Sequence, residues 1–380
     1  MQTWRHLPVP AVALTLLLLA CSHGEPFGPA DQSGSDPFQP NIQPLRLTYG
    51  GGSSPAWLPD GSGFVYAYPA LEHSNGTDTP DLCLGVLPAS GGHRLLSACN
   101  PSPFESDTLD LYEQPAPAPD GRHLAFLRSS LDPFSGSGLS SVVVGAFDSV
   151  PDGAVIANNG FPGPHGMVLD VGLLRWLSEN ELVLLGSDNG IFSPCTDCRP
   201  VVVRRWRDAY RMAAGGGEAP VAIPGTEFAT SIAVGSATEL YLTFGNDGRL
   251  VHRNLNSGAE TVVATFDANT APRDADFSHG RIALVAGGEI VQLTDDDGLP
   301  AQGDDKGGEL QIVDVATGAI TPLPSATLLF RRPRWSPDGT ALLVEGYPYQ
   351  VVTVVPPDNS PTFIDTVVSA VSDIYRVQVP

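Results

Sequence analysis

The first carboxylates that invite a chemical reading are Asp60, Asp120 and Asp338, each inside the phrase Pro-Asp-Gly. Paired carboxylates can divide general acid and general base work, but one phrase repeated along a chain has a simpler physical reading. Proline presets φ, aspartate bonds its own backbone two residues on, and glycine accepts positive φ, so the phrase makes a tight turn. The three aspartates are read as structural turn residues, and no catalytic residue is assigned. A second acidic group comprises Asp295, Asp296, Asp297, Asp304 and Asp305, within GEIVQLTDDDGLPAQGDDKGG at 288 to 308. Clustered oxygens suit a hard cation, yet the alternating spacing and the closing glutamate of an EF-hand loop are missing. These five are read first as a solvated acidic loop and then as a candidate binding face, and no cofactor is expected, calcium being the alternative.

Other chemistry-bearing residues form no recognisable set. G-x-S-x-G, H-E-x-x-H, a Walker A loop and G-x-G-x-x-G do not occur. The eight histidines are scattered without the spacing of a metal site or a triad. The arginines of RRWR at 204 to 207 and RRPR at 331 to 334 are read as exposed strand and crossover residues. Cys83 and Cys99 flank LGVLPASGGHRLLSA, whose two apolar runs surround a Gly-Gly turn. If Val86 pairs with Leu96 across that hairpin, the two cysteines stand opposite each other, a position compatible with a disulfide. Cys195 and Cys198 form a C-x-x-C, read as a structural loop staple, with redox chemistry and a metal site as the lesser readings.

The elements that carry these residues follow from the repeated phrase. PAWLPDG at 55 to 61, PAPAPDG at 115 to 121 and PRWSPDG at 333 to 339 each precede an apolar strand-like run. Trp57, Trp176 and Trp335 stand three residues before Asp60, Glu179 and Asp338; Ala233 and Phe277 fill the same place in two looser copies, before Ser236 and His279. The series makes six units. Each contains short apolar runs separated by turns, with no 3.6-residue periodicity. The fourth is the clearest, with SIAV, ELYLTF, RLVHRNL and ETVVATF in succession. Four short strands repeated at this period predict an all-β fold, a six-bladed β-propeller of four-stranded antiparallel blades over residues 42–380. The aromatic before each turn is expected to pack between blades.

The motif P-x-W-x-P-D-G followed by an apolar strand resembles the TolB-type, WD-repeat-like propeller units of bacterial envelope proteins. The turns after the third strand, ASGGH, GGGEA, NSGAE and ATGAI, fit the same pattern. In an up-and-down blade the first-to-second turns lie on one face, and these are short throughout. Extra length falls on the other face, at 69–81, 129–140, 186–200 and 287–308 as loops and at 100–114 and 160–172 as crossovers. Long loops on a rigid scaffold are where binding sites usually lie. The ring is expected to close through 45–50 or 373–379 as its outer strand.

The amino terminus places the protein in a compartment. Arg5 precedes an apolar stretch from Val9 to Ala20, which at about 1.5 Å per residue is too short to cross a bilayer and reads as an export signal. LLAC at 18 to 21 resembles the lipobox of bacterial lipoproteins, which implies lipidation of Cys21 and, with Ser22 following, delivery to the outer membrane on its periplasmic side. Residues 1–20 are thus expected to be a lipoprotein signal peptide, and 21–41 the lipidated cysteine with a flexible Pro-, Gly- and Ser-rich tether. The four remaining cysteines suit an oxidising compartment. A net charge of −22, with Lys306 as the single lysine, disfavours nucleic acid and anionic lipid as ligands. The expected protein is a monomer, held at the membrane only through its lipid, that binds an envelope protein or glycan without catalysis. The alternative is a calcium-dependent hydrolase or lactonase with its site in the central channel. That reading draws on a resemblance to six-bladed lactonases and on Glu113, Asp170, Asp274 and Asp276, carboxylates near innermost strands.

Overall fold

The computed structural model describes residues 42–380, except 71–80, 98–108, 132–137, 165, 193–200, 246, 268–269, 271, 288–289, 295–299, 306, 355–362 and 370. Six antiparallel sheets form the blades of a propeller, and a seventh, two-stranded sheet stands apart from them. Blade 1 runs Ser53–Trp57, Gly63–Ala70, Asp81–Pro88 and Arg94–Leu95, and blade 2 runs Leu109–Pro117, His123–Leu131, Gly138–Ala146 and Ala154–Asn158. Blade 3 contains Gly166–Ser178, Glu181–Phe192, Val201–Ala213 and Val221–Ala222, with Phe161–Gly163 folded back on the start of its innermost strand. Blade 4 is Ala229–Ser236, Glu239–Phe244, Arg249–Asn254 and Glu260–Thr265. Blade 5 is Arg273–Ser278, Arg281–Ala286, Glu309–Asp314 and Ile320–Leu323.

Blade 6 uses both ends of the described chain. Its order from the axis is Leu328–Trp335, Ala341–Val354, Asp373–Gln378 and then Leu45–Arg46. Both segments considered for closure are therefore used, Asp373–Gln378 as the third strand and Leu45–Arg46 as the outermost. Leu47 N–H donates to Ile374 O at 2.8 Å, and the Arg46 guanidinium meets Asp373 at 2.5 Å. An amino-terminal strand added to the carboxy-terminal blade removes the exposed edges that an open ring would present.

A propeller blade buries its two faces only against its neighbours, so the core is divided among the seams. Leu84, Leu124 and Phe126 fill the seam between blades 1 and 2; Leu127, Leu174 and Tyr210 fill that between 2 and 3. Ile232 and Leu240 pack against Leu185 between blades 3 and 4, and Leu250 against Ile282 between 4 and 5. Leu310 and Phe330 meet Leu342 between 5 and 6, and Phe64 meets Leu343 where the ring closes. Two tryptophans cross seams with a hydrogen bond as well. Trp57 Nε1 donates to Arg334 O at 3.1 Å, and Trp176 Nε1 donates to Ala116 O at 2.7 Å. In blade 4 the register pairs Val234 with Leu240 as Trp176 pairs with Leu182, so Val234 rather than Ala233 holds the equivalent place.

Three sequence readings are corrected by the register. Much of the length assigned to loops is paired strand: Ser129–Leu131 pairs with Gly138–Ser140, and Gly186–Phe192 pairs along blade 3 with residues 201–208. Of the residues read as crossovers, Leu109–Gln114 and Gly166–Gly172 belong to innermost strands. The reason is local: β-branched and aromatic residues such as those of VVVRRW continue the ladder beyond the blade body. The segment read as one loop at 287–308 contains a separate hairpin, Ile290–Thr294 against Pro300–Asp305, and blade 6 carries its own extension, Tyr349–Val354 against Phe363–Val368. In blade 1, Val86 pairs with Arg94 and not with Leu96, which corrects the hairpin register, while Cys83 is disulfide-bonded.

Candidate functional site

The six innermost strands surround the axis, and each carries a β-bulge at the same height. Register breaks fall between Ser53 and Ala56, Glu113 and Ala116, Gly172 and Arg175, Ala229 and Ser231, Arg273 and Asp276, and Arg331 and Arg334. In five blades the bulged residue has positive φ without being glycine: Ser54 (52°), Gln114 (51°), Leu173 (47°), Asp274 (55°) and Arg332 (47°). Such backbone costs energy and re-aims the side chains beside it, which is how bulges serve sites. Two residues beyond the bulge, equivalent places hold Ala56, Ala116, Arg175, Asp276 and Arg334. Small residues in some blades leave the axis to the long charged side chains of others.

These charges form a network around blades 5 and 6. Glu345, on the second strand of blade 6, is fully buried. It accepts from Arg332 Nη1 at 2.8 Å, from Ser54 N–H at 2.5 Å and from Tyr347 O–H at 3.4 Å. Burial, then the adjacent Glu345 carboxylate, push the Tyr347 phenol up to about 12, so it remains a neutral donor. Arg332 Nη1 also reaches Ser54 Oγ at 3.0 Å, joining blade 6 to blade 1. Asp274 receives Arg331 Nε at 3.3 Å and Arg332 N–H at 3.2 Å. Burial would raise its pKa, but Arg331, Arg332 and Arg273 together hold it well below the usual carboxylate range. Asp276 accepts Trp335 N–H at 2.8 Å and lies 3.9 Å from Arg334 Nη1. There burial outweighs the arginines, and its pKa is raised.

Each of these three carboxylates meets a guanidinium directly, whereas Arg175 of blade 3 is attracted by Asp276 and Asp274 without a direct ion pair to either. Its Nη1 donates to Leu174 O at 2.7 Å, while Nε and Nη2 are buried without a hydrogen-bond partner. Burial, then the guanidinium of Arg334 on the opposite blade, push Arg175 well below the ordinary arginine range. Both arginines stand two residues beyond the bulge of an innermost strand, on blades that face each other across the axis. Blade 4 presents a neutral wall: Ser231 Oγ meets Thr243 Oγ1 at 2.7 Å, and Thr230 Oγ1 donates to Pro272 O at 2.8 Å.

The carboxylates singled out from sequence lie in different places. Asp60, Asp120 and Asp338 sit on the short-turn face, where their oxygens accept Ser62 N–H at 2.9 Å, Arg122 N–H at 2.8 Å and Thr340 N–H at 3.1 Å. Gly61, Gly121 and Gly339 follow with φ near +70°. Asp60 and Asp120 border one surface depression of about 480 Å³, but turn backbone occupies both. Asp304 and Asp305 are on the blade 5 hairpin, with side chains outside the described residues; Asp295, Asp296 and Asp297 lie wholly outside them, as do Cys21, Cys99, Cys195 and Cys198. Cys83 is buried in blade 1. Glu113 and Asp170 stand on innermost strands, the Asp170 side chain being outside the described set. Among the described residues, no group of three His, Cys, Asp or Glu side chains could hold a metal ion.

RRPR at 331 to 334 is not the exposed crossover expected. It lies on the innermost strand of blade 6, and Arg334 is only 7% exposed. The signal available in the sequence was the dipeptide Arg-Trp, which occurs at 175–176 and 334–335 in the same place of the repeat. RRWR at 204–207 lies on the third strand of blade 3.

No protein-family model matches the chain, and no curated protein matches it in sequence. Solved structures match in fold. This chain is similar to a gluconolactonase, XC5397 from Xanthomonas campestris, at 11% identity and TM-score 0.49, covering 90% of this chain and 99% of that one. A luciferin-regenerating enzyme is 12% identical with TM-score 0.49, covering 89% and 96% of the two chains. TolB from Acinetobacter baumannii is 12% identical with TM-score 0.31, covering 86% of this chain and 54% of TolB. The likeness is one of propeller fold. Propellers serve both enzymes and binding proteins, so function has to be argued from the site.

Proposed function

We propose that this chain is a lipid-anchored cell-envelope propeller that binds a protein or glycan through its long-hairpin face and the adjoining channel, without catalysis. The observation that carries the reading is the commitment of the channel carboxylates. Asp274, Asp276 and Glu345 are each taken by arginine and by a backbone N–H. A general base needs a carboxylate free to accept a proton from substrate, and a divalent cation bound here would face four guanidinium groups at close range. Localisation at the periplasmic face of the outer membrane rests on the Cys21 lipobox and the signal-length apolar stretch before it.

In-cell cross-linking of the lipidated full-length protein tests the binding reading, beside a variant with Thr294 to Lys306 replaced by a Gly-Ser linker. One defined partner, recovered with the parent and lost with the variant, is the expected result. Bound calcium retained at one ion per chain, together with lactone hydrolysis abolished by chelator, would overturn it in favour of the hydrolase. Palmitate labelling that is lost in Cys21→Ala checks the anchor.

A further inference from the structure

The channel has a polarity opposite to that of the chain around it. The protein carries a net charge of −22, yet Arg175, Arg331, Arg332 and Arg334 gather at the axis against Asp274, Asp276 and Glu345. An unpaired buried charge costs several kcal/mol and persists where something binds it or where the fold has no cheaper alternative. Methionine or leucine would fill the Arg175 site more cheaply, as Leu173 and Leu174 do within the bulge.

We infer that Arg175 is the anchor of an anion-binding site in the channel, and that the group it takes is a carboxylate of the bound target. This deepens the binding reading above and rests on it. The class of ligand follows from which donors are spent. Nη1, on the Cδ side of the guanidinium, is used by Leu174 O. Nε–H and Nη2–H, the two without partners, share the opposite edge, and that edge is the two-pronged fork that matches the two oxygens of a carboxylate. Arg334, at the equivalent place on the opposite blade, adds attraction. Both donors are covered in this conformation, but the Arg175 residue is only partly buried. Rotation of this side chain, and not a rearrangement of the ring, presents the fork.

Thermal melting of the full-length protein with small probes tests the inference. Acetate, acetamide and phosphate are compared at about 50 mM and equal ionic strength, because a ligand that binds only the folded state raises Tm by mass action. Acetate should raise Tm by about 2 °C or more, while its neutral counterpart acetamide should leave Tm unchanged. Arg175→Met should abolish that difference, and Arg175→Lys, which keeps the charge without the fork, should lose most of it. The melting point of Arg175→Met itself should equal or exceed that of the parent, whereas a purely structural arginine would lower it. Equal shifts with acetate and acetamide, or an acetate shift that survives in both Arg175 variants, would overturn the site. A phosphate shift larger than the acetate shift would overturn the carboxylate assignment. A failure here leaves the cross-linking result untouched, whereas no partner recovered with the parent, beside an intact acetate response, would refute only the binding reading.

Discussion

Replacing Glu345 with leucine isolates the strongest feature of the channel. The carboxylate is fully buried and holds Arg332 Nη1 at 2.8 Å and Ser54 N–H at 2.5 Å. Removing one member of a buried pair leaves the other uncompensated, which costs about 3–5 kcal/mol. The orphaned Ser54 N–H belongs to a residue with positive φ, so losing its acceptor adds a further penalty of about 1–3 kcal/mol. Glu345→Leu should therefore lose at least about 4 kcal/mol in a urea titration followed by tryptophan fluorescence. The double variant Glu345→Leu, Arg332→Leu removes the stranded cation and should recover about 2 kcal/mol or more of that loss. A single variant that costs under about 1 kcal/mol, or a double variant whose cost is the sum of the two singles, would refute the account of Glu345 as the clasp between blades 6 and 1.

Asp274→Asn gives a pH signature. Its folded pKa lies below the unfolded value of about 3.9, so its contribution is complete above that pH and declines as pH falls toward the folded value. The variant should be less stable than the parent at pH 7, with the gap narrowing from about pH 4 downward; a constant gap in urea titrations across that range would count against it. Trp57→Phe removes the indole bond to Arg334 O at the closing seam and should cost about 1–2 kcal/mol in the same assay, whereas no loss would mean that ring packing alone carries the seam. A chain ending at Ser372 loses the third strand of blade 6 and should not melt cooperatively, while one beginning at Gly50 loses only the outermost strand and should melt cooperatively at a lower temperature. Equal melting curves for the two would contradict the strand order.

The unit of this fold was legible because it is local. Pro-Asp-Gly makes its turn from its own backbone preferences, and the tryptophan three residues earlier marks a strand that must bury one flank against a neighbour. Six such units with no helical period admit few arrangements other than a closed ring. The register of blade 1 was misjudged because ASGGH forms a tighter turn than the apolar pattern implied, so Val86 meets Arg94. The paired extensions of blades 3 and 6 were missed because a two-stranded ladder beyond the blade body is held by cross-strand pairing and imposes no fixed in-out alternation on the sequence.

The sequence by itself determined the strands, the turns and their number, since each depends on residues a few positions apart. The channel was decided only by the tertiary structure. Arg175, Arg332, Arg334, Asp274 and Glu345 come from three blades, and no spacing along the chain relates an arginine of blade 3 to one of blade 6. Ring closure brings them to a common axis, and the bulges at Leu173, Asp274 and Arg332 turn neighbouring side chains toward it. Whether an arginine is a solvated surface charge or a buried one seeking a counter-ion depends on what surrounds it, and that surrounding exists only once the ring has closed.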